Sequence, residues 1–119
     1  MSDKRRFNRV NFVTEACIQT SSGLSAVQVV DISIKGVKVI DSNDSIPSDA
    51  ENLFIVITLG DGVATIGLDC RVAFHREQEW GLEVTSMDLD SATHLRRLLE
   101  FNLGDKALVE RDLEALLSH

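Results

Sequence analysis

Residues Val10 to Ile18 read Val-Asn-Phe-Val-Thr-Glu-Ala-Cys-Ile, and this alternating stretch decides the fold class. Successive side chains of a β-strand point to opposite faces, so a period of two predicts a strand with one buried and one outward face. The two predicted faces hold Val10, Phe12, Thr14, Ala16 and Ile18 on one side and Asn11, Val13, Glu15, Cys17 and Gln19 on the other.

Further strand-like segments follow, separated by turn signals. They cover residues 26–32, 36–40, 53–59, 63–74 and 80–84. Gly36 follows a hairpin-like connection, where a positive φ can be required. The run 53–59 is almost continuously apolar, so we expect that strand to be buried on both faces. Six or seven short strands with turns between them favour a β-sandwich or a closed barrel.

The pattern becomes helical after Met87. The segment 88–91 offers N-cap candidates and early negative charge, and Gly104 is a C-cap signal. Apolar residues spaced three and four apart between them predict one helix, and a second helix is predicted from about residue 105 to residue 117. We interpret the apolar stripe of the second helix as packing against the β-domain or the first helix. A partner or dimer contact is the alternative.

Length and composition indicate one globular domain. The 119 residues are 44% hydrophobic and 26% charged, which is the composition of an ordinary soluble protein. No apolar run approaches the roughly 20 residues that span a bilayer, and no apolar segment follows the N-terminal charges. We therefore expect a cytoplasmic protein without direct membrane insertion.

Residues that could support catalysis or bind a metal are not arranged in a known pattern. Cys17 and Cys70 lie in strand-like runs and are interpreted as two buried, reduced thiols. The three histidines have no metal-ligand spacing to each other or to the cysteines. Phosphate-loop, dinucleotide-binding and nucleophile-elbow motifs do not occur. We expect no metal, no cofactor and no enzymatic activity.

Charge is distributed unevenly along the chain. The first nine residues contain four basic residues and one aspartate, a net charge of +3, whereas the whole chain carries −7. A basic arm on an acidic body predicts local binding of an anion and repulsion of long polyanions. A nucleic-acid-binding β-barrel of the OB type would need a basic groove with aromatic platforms, so we expect no nucleic-acid partner.

Two short motifs combine with this arm. The first is Arg5-x-x-x-Arg9, with Lys4 and Arg6 beside it, and the second is Asp31-x-Ser33-x-x-Gly36 at the end of the second predicted strand. Each has an ordinary structural alternative. The arm could be a solvated tail, and the Asp and Ser side chains could simply cap backbone amides in a turn.

Together, the motifs resemble those of the PilZ domain, a bacterial family of receptors for the second messenger cyclic di-GMP. The resemblance extends to a Gly-Leu-Glu-Val strand at 81–84 and to the helical end. It implies a small, mainly β, six- or seven-stranded antiparallel split barrel with C-terminal helices. The arm would occupy residues 1–10, the barrel 11–87 and the helical segment 88–119. The second helix is an extension beyond the minimal domain.

The resemblance also implies a set of ligand-binding residues. These are Arg5, Arg9, Asp31, Ser33 and Gly36, with Arg6 as a member of the same basic run. An arginine fork can pair with guanine O6 and N7 or hold a phosphate, and a carboxylate accepts from the guanine N–H edge. Further candidates are Lys4 for a phosphate, and Trp80 beside Gly81 for stacking on a base. For Trp80, half-buried packing is the main interpretation.

The family implies a ligand-switched adaptor that acts on an effector protein in motility, exopolysaccharide synthesis or pilus function. We expect residues 3–9 to become ordered over the barrel when the nucleotide neutralises them. The alternative is a protein–protein adaptor of the same fold that does not use the nucleotide. The sequence does not distinguish a monomer from a homodimer, or one bound nucleotide from two.

Overall fold

A computed structural model describes residues 8–20, 23–47, 50–60, 62 and 64–117. These residues form six strands and two helices in chain order. The strands are β1 Val10–Thr20, β2 Gly23–Ile32, β3 Gly36–Ile40, β4 Leu53–Thr58, β5 Thr65–Arg76 and β6 Glu79–Met87. The helices are α1 Leu89–Leu103 and α2 Lys106–Leu117.

The six strands form one closed barrel. Their order around it is β1-β2-β3-β6-β5-β4, and every neighbouring pair is antiparallel. The barrel closes where β4 pairs with β1, with Ile55 opposite Ile18. The predicted antiparallel barrel is therefore confirmed, with six strands among the described residues. Closure pairs both edges of the sheet, which an open sandwich would leave exposed.

The barrel interior holds the hydrophobic core. In β1, Ala16 and Ile18 are buried and Cys17 is exposed, so the alternation predicted from the sequence is confirmed. The prediction that β4 is buried on both faces is wrong. Leu53, Ile55 and Ile57 point inward, whereas Phe54 is 37% exposed. A barrel strand has only one buried face unless a helix covers the other, and α1 packs mainly against β5.

Capping residues set the limits of α1. The Asp88 carboxylate accepts a hydrogen bond from the Ser91 amide at 2.7 Å, and this bond lowers the pKa of Asp88. Gly104 ends the helix at φ 69° and donates its N–H to the Glu100 carbonyl at 2.9 Å. Both predicted caps are confirmed. The buried Ser91 hydroxyl also accepts from the Gly67 amide, which fastens α1 to β5.

The second helix packs through one apolar face. Val109 is 1% exposed and joins the core cluster, and Leu113 packs against that cluster. This supports the packing interpretation of the apolar stripe, because α2 lies against α1. Neither helix is both long and apolar enough to cross a membrane in the part of the chain that the structure describes.

The two cysteines differ, so the prediction of two buried thiols is only half right. Cys70 lies inside the barrel, where burial raises the pKa of its thiol to about 12. Cys17 lies on the outward face of β1 and is exposed. The period-two alternation of β1 places Cys17 on the outward face, so its thiol is exposed although its neighbours Ala16 and Ile18 are buried.

Candidate functional site

Arg9 and Asp31 bring the two sequence motifs together. Arg9 immediately precedes β1, and Asp31 lies near the end of β2, opposite Asn11. The Arg9 Nη1 atom lies 2.5 Å from Asp31 Oδ1 in a charged hydrogen bond. The two side chains are 26% and 13% exposed, so the pair lies at the surface but is partly shielded from water. Shielding strengthens such a pair relative to one in full solvent.

A β-bulge turns Asp31 outward. Val29 pairs with Val39 and Asp31 pairs with Lys38, which leaves Val30 as an extra residue in β2. In regular pairing Val30 would lie opposite Lys38, and Asp31 would lie opposite Val37 and point into the core. Bulges redirect side chains in this way and occur often beside functional sites. The bulge therefore places a carboxylate on the outer surface of the barrel.

Lys38 completes the charged cluster, and the sequence motifs did not include it. Its Nζ atom lies 3.9 Å from Asp31 Oδ2 and 3.7 Å from Glu79 Oε2. Lys38 follows Gly36 by two residues, so the period of a strand puts both on the same outward face. That spacing was the available signal in the sequence. Asp31 is thus bordered by one cation from the arm and one from the barrel.

Gly36 is required for close approach rather than for an unusual backbone angle. A Cβ atom at this position would lie 3.1 Å from the Leu82 carbonyl oxygen and 3.3 Å from Arg9 Nη2. Its φ is not positive, so the expectation of a left-handed turn residue is wrong. The expected close approach is confirmed, because the missing side chain lets the guanidinium lie directly over β3.

Ser33 holds the turn between β2 and β3. The residue is 2% exposed, and its hydroxyl accepts from the Gly36 amide at 3.1 Å and the Lys35 amide at 3.3 Å. The same hydroxyl lies 3.3 Å from the Gly36 carbonyl oxygen, to which it donates. This is the turn-capping role weighed for the motif. A direct contact between Ser33 and a ligand stays a prediction.

The outward row that contains Asp31 continues across the barrel. Lys38 pairs with Gly81, and Gly81 pairs with Phe74. We call the outward residues Asp31, Gly36, Lys38, Gly81 and Phe74, with Arg9 lying over them, the motif face.

Trp80 lies beneath the motif face rather than on it. The residue is 1% exposed, and its ring stacks on His75 with centroids 3.6 Å apart. Trp80 is therefore fully buried instead of half-buried as expected. No face of its ring is open to a base in this structure.

A second charged group borders the motif face. The Glu83 carboxylate accepts from Arg71 at 2.7 Å and lies 3.5 Å from the Lys35 ammonium. The hydrogen bond from Arg71 is the main cause that lowers the pKa of Glu83, and Lys35 adds to it. These side chains keep the border of the surface charged and solvated.

Asn8 connects the arm to α2. Its amide N–H donates to Asp112 Oδ2 at 2.8 Å, and its side-chain amide lies 3.3 Å and 3.4 Å from the two carboxylate oxygens. Asp112 is 4% exposed, so this contact is nearly sealed from water. Arg9 and Asn8 are neighbours in sequence but bind carboxylates on different parts of the molecule.

Three predicted ligand-binding residues, Lys4, Arg5 and Arg6, lie outside the described residues, as does most of the segment 3–9. Among the residues that the structure does describe, no cluster of three His, Cys, Asp or Glu side chains could hold a metal ion.

Comparison with known proteins identifies the family. The PilZ domain family model matches residues 3–101, and the chain belongs to the PilZ domain family. This match covers both motifs, the whole barrel and most of α1. It ends before α2, so α2 lies outside the matched region.

Solved structures show the same fold at low sequence identity. The PilZ domain of YcgR from Escherichia coli with c-di-GMP superposes with a TM-score of 0.69 at 10% identity, covering 86% of this chain and 93% of that one. The PilZ domain of CeSA from a cellulose-synthesizing bacterium gives 0.63 at 20% identity, covering 82% and 99%. MotI, the Bacillus subtilis inhibitor of motility, gives 0.67 at 18% identity. That match covers 87% of this chain, which spans about half the length of MotI (51%).

Proposed function

We propose that this protein is a receptor for cyclic di-GMP and that the nucleotide binds on the motif face. The proposal rests on the pairing of Arg9 with Asp31 above Gly36, which joins the two sequence motifs at one surface. The proposed binding residues are those implied by the family resemblance, namely Arg5, Arg6, Arg9, Asp31, Ser33 and Gly36. The YcgR domain with c-di-GMP, which shares the fold, supports the choice of ligand.

The Arg9–Asp31 pair has the chemistry to exchange partners with guanine. An arginine donates and a carboxylate accepts, and the guanine edge offers acceptors at O6 and N7 as well as N–H donors. A guanine can therefore replace Asp31 as partner of Arg9 and replace Arg9 as partner of Asp31. Lys38 continues to balance the Asp31 charge during such an exchange, because it contacts the other carboxylate oxygen.

Calorimetric titration of the protein with cyclic di-GMP, with GTP and cyclic AMP as controls, tests the proposal. We expect binding of cyclic di-GMP and much weaker heats with the controls. One bidentate arginine–guanine contact contributes about 1–3 kcal/mol, so Arg9→Ala should weaken binding about tenfold to a hundredfold. Arg97→Ala removes the same charge from an exposed position on α1 and should leave the affinity unchanged. Absence of binding by the wild-type protein would favour the nucleotide-independent adaptor.

We further propose that the receptor acts in the cytoplasm as an adaptor, not as an enzyme, and that α2 carries the signal to an effector protein. The observation that favours α2 is the Asn8–Asp112 contact, since a movement of Asn8 with the arm changes the surroundings of Asp112. Motility, exopolysaccharide synthesis and pilus function are the candidate outputs.

Amide hydrogen exchange with and without cyclic di-GMP tests the connection to α2. We expect changed protection in residues 3–9 and also in residues 106–115. Asp112→Ala should abolish the change in α2 while the change in the arm persists. Unchanged exchange throughout α2 at saturating nucleotide would contradict the proposed output.

A further inference from the structure

We infer that Phe74 provides a stacking surface for a purine base of the bound nucleotide. This inference rests on the proposed function and adds to it an aromatic contact that neither sequence motif contains. Phe74 is 45% exposed although it belongs to a barrel strand with a well-filled interior. Its ring covers Gly81, where a Cβ atom would overlap the ring.

The direction of Phe74 is set by a second β-bulge. Val72 pairs with Leu82 and Phe74 pairs with Gly81, so Ala73 is an extra residue in β5. In regular pairing Phe74 would lie opposite Trp80 and point toward the core, where a large apolar side chain is normally placed. The bulge instead exposes it. The bulge in β2 turns Asp31 outward in the same way.

Both bulges direct side chains to the same row of the motif face. From Asp31 the row crosses Lys38 and Gly81 to Phe74, which is three strand spacings, or about 14 Å between Cα atoms. The Phe74 ring leans back over Gly81 and therefore shortens this span. The row offers a hydrogen-bonding pair at one end, a cation in the middle and an aromatic ring at the other end. A ligand with a phosphate and flat bases matches this order of groups.

Phe54 offers a comparison within the same barrel. Its ring lies over Gly67, where a Cβ atom would be 2.7 Å from Phe54 Cζ, and it is 37% exposed. Covering a strand glycine with an aromatic ring stabilises a sheet by itself. Phe54, however, is directed outward by regular alternation with no bulge in its pairing to β5. It lies outside the row that contains Asp31.

The two phenylalanines define a matched experiment. Phe74→Leu and Phe54→Leu are each titrated with cyclic di-GMP by calorimetry, and thermal unfolding is recorded for both. We expect similar losses of thermal stability, but an affinity about five- to a hundredfold weaker only for Phe74→Leu, the range for losing one stacked base. Phe74→Trp should retain binding, because it keeps an aromatic face.

The possible results separate the stacking inference from the proposed function. If Phe74→Leu binds like the wild type while Arg9→Ala does not, the stacking inference is overturned and the receptor proposal stands. Equal weakening by both leucine variants also overturns it, because packing over glycine then explains the loss. Absence of binding by the wild type overturns both. Should Phe74→Leu fail to fold, proton NMR on the wild-type complex decides, since stacking requires cross-peaks between the Phe74 ring and a guanine proton.

Discussion

The motif face and the opposite side of the barrel contain the same kinds of residue in different surroundings. We call the outward residues Cys17, Phe54, Gly67 and Asp69, on β1, β4 and the first half of β5, the rear face. Each face has a phenylalanine over a glycine and an outward carboxylate. On the rear face the carboxylate of Asp69 accepts a hydrogen bond from a neutral hydroxyl, that of Ser86, at 2.8 Å. On the motif face Asp31 lies between Arg9 and Lys38.

This difference indicates which features belong to the barrel and which belong to a site. An aromatic ring over a glycine appears on both faces and is explained by the need to cover a bare strand. A bulge also adjoins Asp69, but its extra residue is Thr85 of β6, and Asp69 points outward by the regular alternation of β5. The motif face is distinguished by bulges that themselves turn Asp31 and Phe74 outward, together with a converging set of charges. A bulge interrupts the hydrogen bonds between neighbouring strands and so costs stability. Ligand binding is a reason for a protein to retain a bulge despite that cost.

Replacing the two outward carboxylates should give the largest contrast. Asp31→Ala removes the partner of Arg9 and the proposed acceptor for a guanine N–H edge, so calorimetry should show cyclic di-GMP binding weakened about tenfold to a hundredfold. Asp69→Ala on the rear face should bind within twofold of the wild type. Equal affinities for the two variants would remove the distinction between the faces.

The contact between the arm and α2 should affect stability more than an exposed helical charge does. Asp112→Ala leaves the Asn8 N–H without its partner in a nearly sealed position, and we expect it to cost about 1–3 kcal/mol of unfolding free energy in urea denaturation. Glu110→Ala, which removes an exposed carboxylate two residues from Asp112 on the same helix, should cost about 0.5 kcal/mol or less of unfolding free energy. Similar losses of unfolding free energy in the two variants would mean that the Asn8–Asp112 contact contributes little to stability.

The charged border of the motif face should contribute a small, pH-dependent stability. The folded pKa of Glu83 lies below its ordinary value of 4.5, chiefly because of the Arg71 hydrogen bond. The contribution is therefore complete above about pH 4.5 and is lost as the pH falls through the folded pKa. Because the pair is exposed, wild type and Glu83→Gln should differ by about 0.2–1 kcal/mol at pH 7 and converge in acid. If the stability difference between wild type and Glu83→Gln instead grew toward acid pH, the lowered pKa of Glu83 in the folded state would be contradicted.

Modification of the rear face should have the smallest effect on binding. A maleimide should label Cys17, which is exposed, and spare Cys70, whose thiol is buried and has a pKa of about 12. The singly labelled protein should bind cyclic di-GMP within twofold of the unlabelled protein. Loss of binding after labelling at Cys17 would place the ligand on the wrong face, and mass spectrometry identifies the labelled residue.

The sequence predicted most of the fold because its signals are local. Alternation in residues 10–18 gave the faces of β1, and Asp88 and Gly104 gave the limits of α1. Burial of β4 was mispredicted because an apolar residue such as Phe54 can point outward to cover a glycine on another strand. The glycine and the ring are far apart in sequence, so no local pattern connects them.

The candidate site was predicted only in part, because local motifs carry some of its residues and pairing between strands brings in the others. Arg9, Asp31 and Gly36 follow from their motifs, and the structure brings them together. Lys38 was missed although the two-residue spacing from Gly36 carries the signal. Phe74 was missed because bulges depend on pairing between strands. Trp80, the candidate for base stacking in the sequence, is instead buried against His75.

By itself the sequence determined the strand order along the chain, the helix caps, the basic arm and the two motifs, since each depends on neighbouring residues. Only the tertiary structure decided which side chains share the motif face. Closing the barrel set the strand registers, and two inserted residues, Val30 and Ala73, turned Asp31 and Phe74 out of the core. Register depends on the packing of every strand against its neighbours, which is why it is a property of the folded barrel rather than of any one segment.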